Sequence, residues 1–137
     1  MMDQRADLGK RLKASLEQCR EIVFVCLHGS FLDEALPYHD IDIAIYLDPA
    51  WASGQDIFEY EMSLSVNLTL ALHVPIDIHV LNKAPVGFQY SVFHRGKVLF
   101  VRDADGDERL TDLVERVGLA YMEFSYHSKK YLQEVTS

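Results

Sequence analysis

The stretch "HGSFLDEALPYHDIDIAIYL", residues 28–47, joins a Gly-Ser pair at the end of one apolar segment to two aspartates at the start of the next. The flanking apolar segments, residues 21–27 and 41–47, are predicted to be buried β-strands. Asp40 and Asp42 therefore open an apolar strand, although charged side chains are seldom buried. This placement indicates a function for the two carboxylates.

The two aspartates are expected to lie on one face of the strand, because successive strand side chains point to opposite faces. Their Cα atoms would be roughly 6.6 Å apart. Carboxylates at that separation can converge on Mg²⁺, which takes oxygen ligands and supplies the counter-charge that neighbouring acids need. Asp77 lies near the start of a third predicted strand, residues 75–82, and reaches the same face if the strands pair. Three carboxylates can hold two divalent ions for phosphoryl transfer.

The Gly-Ser pair fits the same chemistry. Gly29 would let the backbone approach a phosphate closely. The hydroxyl of Ser30 and the amides that open the next helical turn can donate to phosphate oxygens. The sequence therefore predicts a nucleotide-transfer site between this turn and a metal. The other Asp-x-Asp pairs, at residues 103–107, are interpreted as a solvated loop that caps the following helix.

The remaining pattern predicts a single domain, residues 1–137, of the α/β (α+β) class, with a small mixed sheet of about four strands and helices packed on one side. Residues 55–72 fit both a strand and a helix, and we predict a helix because eighteen residues are long for a strand. The other predicted elements are a helix at 4–19, a helical turn at 31–36, a short helix at 85–96, a strand at 97–101 and a long C-terminal helix from Leu110.

Composition excludes several classes of function. The formal net charge of −8 argues against direct binding of nucleic acid, which depends on basic side chains. No uncharged apolar run approaches the ~20 residues of a membrane span, and the N-terminus lacks a signal-peptide core. Cys19 and Cys26 lie in apolar surroundings and are expected to be reduced. We therefore expect a cytoplasmic protein.

Gly29-Ser30, nine intervening residues, Asp40-Ile41-Asp42 and a later Asp77 form a pattern that resembles the polymerase-beta-like nucleotidyltransferase superfamily. More narrowly, the chain resembles the minimal nucleotidyltransferases, which are the antitoxins of HEPN–MNT toxin–antitoxin pairs. The similarity covers about residues 21–103. It implies the polymerase-beta-like fold and Mg²⁺-dependent transfer of a nucleoside monophosphate, usually AMP from ATP.

The resemblance also implies a role for each residue of the motif. Asp40 and Asp42 would bind the metals, and Asp77 would complete the metal site and help to deprotonate the acceptor. Gly29 and Ser30 would hold the triphosphate. In the antitoxin branch the acceptor is a tyrosine hydroxyl of the partner ribonuclease, so a HEPN-family toxin in a hetero-oligomer is the expected partner.

The chain departs from the family pattern after the Ser. Family members often carry a small residue and then Arg at the positions of Leu32 and Asp33, and an acid there would repel a triphosphate. Two alternatives therefore stay open. One is a small-molecule nucleotidyltransferase with an acceptor site built by dimerisation, and the other is a weakly catalytic module that neutralises its partner by contact. His28 and His79 could line the site or be ordinary packed or surface histidines.

Overall fold

A four-stranded mixed sheet forms the centre of the computed structural model, which describes residues 4–33 and 39–136. The strands follow the spatial order β3-β2-β1-β4 and are β1 (Ile22–His28), β2 (Ile41–Leu47), β3 (Ile76–Val80) and β4 (Lys97–Val101). Strand β1 pairs antiparallel with β2 and β4, whereas β2 and β3 are parallel. The predicted mixed sheet is confirmed.

Five α-helices accompany the sheet in the described part of the chain: α1 (Gln4–Glu17), α2 (Pro49–Ala52), α3 (Ile57–Leu72), α4 (Val86–Arg95) and α5 (Ala104–Thr136). The ambiguous segment is the helix α3, as predicted. The predicted turn at 31–36 falls partly outside the described residues, within which a 3₁₀ turn spans Ser30–Leu32. None of the described helices is long and apolar enough to cross a membrane.

Most of the acidic segment at 103–107 is helical, which corrects the predicted loop, whereas the predicted helix cap is present at Asp103. Helix α5 begins at Ala104, and the carboxylate of Asp103 accepts a hydrogen bond of 2.8 Å from the backbone N–H of Gly106. Acids in the first turn of a helix are stabilised by its free N–H groups and its dipole. The acidic residues that suggested a loop in the sequence therefore stabilise the start of the helix.

Helices cover both faces of the sheet, which corrects the expectation that they pack on one side. One buried cluster joins the sheet to α1 and α3, and it includes Leu12, Ile43 and Leu68. A second cluster joins the opposite face to α4 and α5, and it includes Phe24 and Val92. The reason is the continuous apolar run of β1, which supplies residues to both clusters and therefore needs cover on both sides.

The outer edge of β3 is paired with side chains of α3. Three backbone N–H groups of this edge strand, spaced two residues apart, donate to three polar side chains spaced four residues apart on the helix. The pairs are Val80 with Glu61, Ile78 with Ser65 and Ile76 with Thr69, at 2.7, 3.0 and 3.0 Å. The spacings match because four helical residues rise about 6 Å and two strand residues about 6.6 Å. The helix therefore satisfies an edge that would otherwise be open, and holds β3 in place.

Candidate functional site

A row of three polar side chains crosses the sheet near the start of β2. Asp42 is paired in register with His28 on β1 and with Asp77 on β3. The neighbouring residues Ile41 and Ile43 are fully buried and belong to the opposite face, which packs against α1 and α3. The strand pairing that the expected position of Asp77 required is therefore present, and both carboxylates lie on the α4/α5 face.

Asp42, Asp77 and His79 form a group that could hold a metal ion. One ligand atom from each lies within 4.8 Å of the others. The Nε2 atom of His79 is 2.9 Å from a carboxylate oxygen of Asp77, two residues earlier on the same face. Asp40 is exposed and is not a member of this group. It lies in a bend just before β2, where the alternation of strand side chains does not yet apply.

The electrostatics of Asp42 favour a bound cation. Partial burial raises the pKa of this carboxyl above its ordinary value of 3.8, and the charges of Asp40 and Asp77 raise it further. His28 and His79 oppose that shift but do not cancel it. The protein thus does not fully offset the negative charge of the ionised Asp42 carboxylate, and a divalent ion would supply the missing positive charge. The residues present fit a divalent metal.

The Gly-Ser turn lies directly against this carboxylate. Gly29 has a φ of 83°, a conformation that side-chain-bearing residues rarely adopt. A Cβ atom at this position would overlap the carboxylate of Asp42. Ser30 is half-buried and starts the 3₁₀ turn, in which the N–H of Asp33 donates to the carbonyl of Ser30 at 3.1 Å. Glycine therefore lets the turn and the acid come together.

His28 adds an unsatisfied polar atom beside the group. Its Nε2 is buried and has no hydrogen-bond partner among the described residues. Its ring contacts those of His79 and Phe88, with centroids 6.0 and 5.6 Å away. Burial, as the largest cause, lowers the pKa of the imidazole. The sequence left the role of His28 open, because only the register of β1 against β2 brings it beside Asp42.

A cleft of about 950 Å³ extends from His79 and Phe88 along the same face of the sheet. Its walls come from α4, α5 and the segments after β2 and β3, and they include the cationic side chains of Lys83 and Arg116. The size is typical of a small-molecule site. Of the metal-binding group, His79 lines this cleft, whereas Asp42 and Asp77 do not.

These features agree with a comparison to known families. The family model of polymerase beta nucleotidyltransferases matches residues 10–105, which include Gly29, Asp42 and Asp77. The chain belongs to this nucleotidyltransferase family. No curated protein matches the sequence. The expected nucleotidyltransferase is therefore confirmed at the level of the family.

Solved structures of the same fold come from toxin–antitoxin complexes. A chain of the tri-AMPylated Shewanella oneidensis HEPN toxin in complex with MNT antitoxin has a TM-score of 0.72 and 20% identity, and the match covers 98% of this chain and 100% of that one. A chain of a toxin–antitoxin with AMP-PNP has a TM-score of 0.71 and 20% identity, and the match covers 95% of this chain and 98% of that one. A chain of the toxin–antitoxin MntA–HepT has a TM-score of 0.68 and 20% identity, and the match covers 98% of this chain and 100% of that one. At 20% identity this likeness is one of fold, and the predicted resemblance to minimal nucleotidyltransferases holds at the level of the fold.

Proposed function

We propose that this nucleotidyltransferase moves AMP from ATP to a tyrosine hydroxyl of a HEPN-family ribonuclease toxin, with Mg²⁺ or a similar divalent ion, and so acts as its antitoxin. The observation that carries the proposal is the pairing of Asp42 with Asp77 in register beside the Gly29 turn. The similar structures add support, since one contains an AMPylated HEPN toxin and another contains AMP-PNP. ATP is a cytoplasmic substrate, so we expect the protein to act in the cytoplasm.

The reaction forms one bond and breaks one. The acceptor oxygen attacks the α-phosphorus of ATP, a new P–O bond forms, and the bond to pyrophosphate breaks. A divalent ion would offset the negative charge of the phosphates. In this proposal Asp42 holds the metal, and Asp40, which lies outside the group in the structure, would turn toward the same ion from the bend before β2. Asp77 completes the metal site and takes the proton of the acceptor hydroxyl. Asp77 is exposed, so an acceptor presented from outside could reach it.

The Gly-Ser turn would bind the triphosphate. The close approach of Gly29 to Asp42 supports this role, because a phosphate bound at the turn would lie next to the carboxylate. The hydroxyl of Ser30 can donate to a phosphate oxygen. The cationic side chains of Lys83 and Arg116, which line the adjoining cleft, would favour an anionic substrate in an otherwise acidic protein.

The far end of α5 supports a protein acceptor over a small one. Large apolar side chains stay exposed along its second half, and exposed apolar surface gathered on one element marks a candidate protein interaction site. They are Leu119, Met122, Phe124, Tyr126, Tyr131, Leu132 and Val135. Leu119 and Met122 are 70% and 69% exposed, which is unusual for their residue types. A partner that covers this helix would form the expected hetero-oligomer.

A second candidate is a module that neutralises the toxin by contact with little catalysis. Two observations favour it. Asp33 takes the position of a common family arginine and would repel a triphosphate. Asp40 is exposed and does not join Asp42, Asp77 and His79 in their group. The two candidates share the partner and differ in whether the carboxylates are needed.

The test uses the chain co-expressed with a HEPN-family ribonuclease as its candidate partner. The purified pair is incubated with Mg²⁺ and ATP labelled in its α-phosphate. We expect the label on a tyrosine of the partner, and Asp42→Asn should reduce labelling by on the order of 10²- to 10³-fold through loss of electrostatic stabilisation. Asp112→Asn, an exposed aspartate on α5, is the control and should label normally.

The same variants separate the two candidates. Ribonuclease activity of the partner is measured after purification with each variant. If transfer is the function, Asp42→Asn should leave the ribonuclease active while the two proteins still associate. An Asp42→Asn variant that silences the ribonuclease as well as the wild type does would overturn the transfer proposal in favour of contact.

A further inference from the structure

We propose that His79 is a nitrogen ligand of the metal site, together with Asp42 and Asp77, and that the site therefore selects a first-row transition ion such as Mn²⁺ over Mg²⁺. This inference deepens the proposed function. Only the catalytic use of the ion rests on that function. Binding of the ion depends on the chain alone.

The positions of the three ligands follow from the sheet. Asp77 and His79 are two residues apart on β3, so their side chains share a face. Asp42 sits opposite Asp77 in the parallel register of β2 and β3. The resulting ligand atoms lie within 4.8 Å of one another, so small movements of the side chains bring all three to ordinary ligand distances of about 2.0–2.3 Å from one metal ion. Asp77 and His79 are partly exposed, so an ion can enter.

The donor set decides which ion is preferred. Mg²⁺ demands oxygen ligands in near-ideal octahedral geometry, which a site of carboxylates alone would suit. Imidazole nitrogen binds first-row transition ions much better. The structure leaves Asp40 outside the group and brings His79 into it. The site thus offers two carboxylates and one imidazole, a mixed set that favours Mn²⁺ or a later ion.

His28 provides a second, independent observation. Its Nε2 is buried without a hydrogen-bond partner among the described residues, and such atoms are rare in folded proteins. It lies in register with Asp42, and its ring centroid is 6.0 Å from that of His79. Groups around a metal commonly bond to its ligands or to its bound water. An ion with its water would supply the partner that this atom lacks.

The experiment measures metal binding by the full chain without nucleotide or partner. Protein stripped with a chelator is titrated with Mn²⁺ followed by electron paramagnetic resonance, and Mg²⁺ is tested as a competitor. We expect Mn²⁺ to bind more tightly than Mg²⁺, and the bound Mn²⁺ to show spin-echo modulation from a coordinated ¹⁴N nucleus. His79→Asn should remove that modulation and lower Mn²⁺ affinity about 10- to 100-fold, with little change for Mg²⁺.

The control is His127→Asn, an exposed histidine that faces Glu123 on α5. It should leave both the affinity and the nitrogen signal unchanged, and circular dichroism should show that all variants are folded. Equal affinity for the two ions, or a nitrogen signal that survives His79→Asn, would overturn the assignment. His79 would then be only a hydrogen-bond partner of Asp77.

Failure of this inference is distinguishable from failure of the proposed function. Binding of Mn²⁺ through His79 without any labelling of the partner would refute AMP transfer and keep the metal site. Labelling of the partner in Mg²⁺, with no preference for Mn²⁺ and no effect of His79→Asn on metal binding, would refute the metal site and keep the transfer.

Discussion

Strands β2 and β3 carry apolar side chains on one face and acidic side chains on the other. The face toward α1 and α3 carries Ile41, Ile43 and Ile78, none of which is more than 2% exposed. The face toward α4 and α5 carries Asp42 and Asp77, which are paired with each other between two isoleucine pairs. One face supplies hydrophobic stabilisation, and the other can hold charges a few ångströms from a rigid core.

The comparison also explains how charged residues are tolerated on these strands. Packing of the isoleucine face against α1 and α3 holds the strands on one side of the sheet. The hydrogen bonds from the edge of β3 to α3 hold them at the edge. The acids lie near the start of β2 and β3, where Asp77 is exposed and Asp42 is half-buried. The cost of ionising them is thus smaller than it would be beneath the helices. Three changes should sharpen this contrast.

The largest effect on stability is expected from Ile43→Ala on the apolar face. Ile43 is fully buried, so the substitution removes apolar contacts and leaves a cavity that costs about 2–5 kcal/mol of unfolding free energy. Urea denaturation measures the loss. Val66→Ala is the control, since Val66 is exposed on α3. Equal losses for the two variants would show that the isoleucine face is not the source of stability.

A smaller effect is expected from Ser65→Ala at the edge of β3. The N–H of Ile78 would lose the acceptor that lies 3.0 Å away, and an unsatisfied amide costs about 1–3 kcal/mol. Hydrogen exchange of the Ile78 amide should become faster, and the unfolding free energy should fall. Ser63→Ala, at an exposed position of the same helix, should change neither. Unchanged exchange at Ile78 in the Ser65 variant would contradict the proposed support of β3.

The smallest effect is expected on the polar face, and it has the opposite sign. The raised pKa of Asp42 means that folding favours its protonated form. The contribution of this group to stability is therefore most favourable below 3.8 and becomes less favourable as pH rises from there through the shifted pKa. Asp42→Asn should therefore raise the melting temperature of the metal-free protein at neutral pH. The difference from the wild type should shrink as the pH is lowered toward 3.8.

Adding Mn²⁺ provides the check on this third prediction. The ion should raise the melting temperature of the wild type, because ligands that bind only the folded state stabilise it. It should do much less for Asp42→Asn. If Asp42→Asn is less stable than the wild type at neutral pH without metal, the ionised Asp42 carboxylate does not destabilise the fold, and the prediction is wrong.

Much of the candidate site could be predicted because it depends on local rules. The alternation of side chains puts Ile41 and Ile43 on one face and Asp42 on the other. The position of Asp77 beside Asp42 was expected only if the second and third strands pair, and the structure shows that they do. Asp40 is different, because it precedes the first hydrogen-bonded residue of β2, and alternation along a strand does not determine where it points.

Other parts of the site depended on long-range register. His28 reaches Asp42 only because β1 and β2 are antiparallel with that particular alignment. The same polar residues of α3 that bind the edge of β3 look like a solvent-exposed stripe in the sequence. The spacing of Asp77 and His79 was a usable signal, but it predicted a shared face and not a shared ligand position.

By itself, the sequence determined the mixed sheet, the order of its strands along the chain and the acid-bearing glycine-serine motif, because hydrophobic periodicity and turn residues act over a few neighbouring positions. Only the tertiary structure decided that helices cover both faces, that α3 satisfies the open edge of β3, and that a histidine joins two carboxylates. Those outcomes depend on the alignment of segments that are distant in the chain, and no local pattern specifies that alignment.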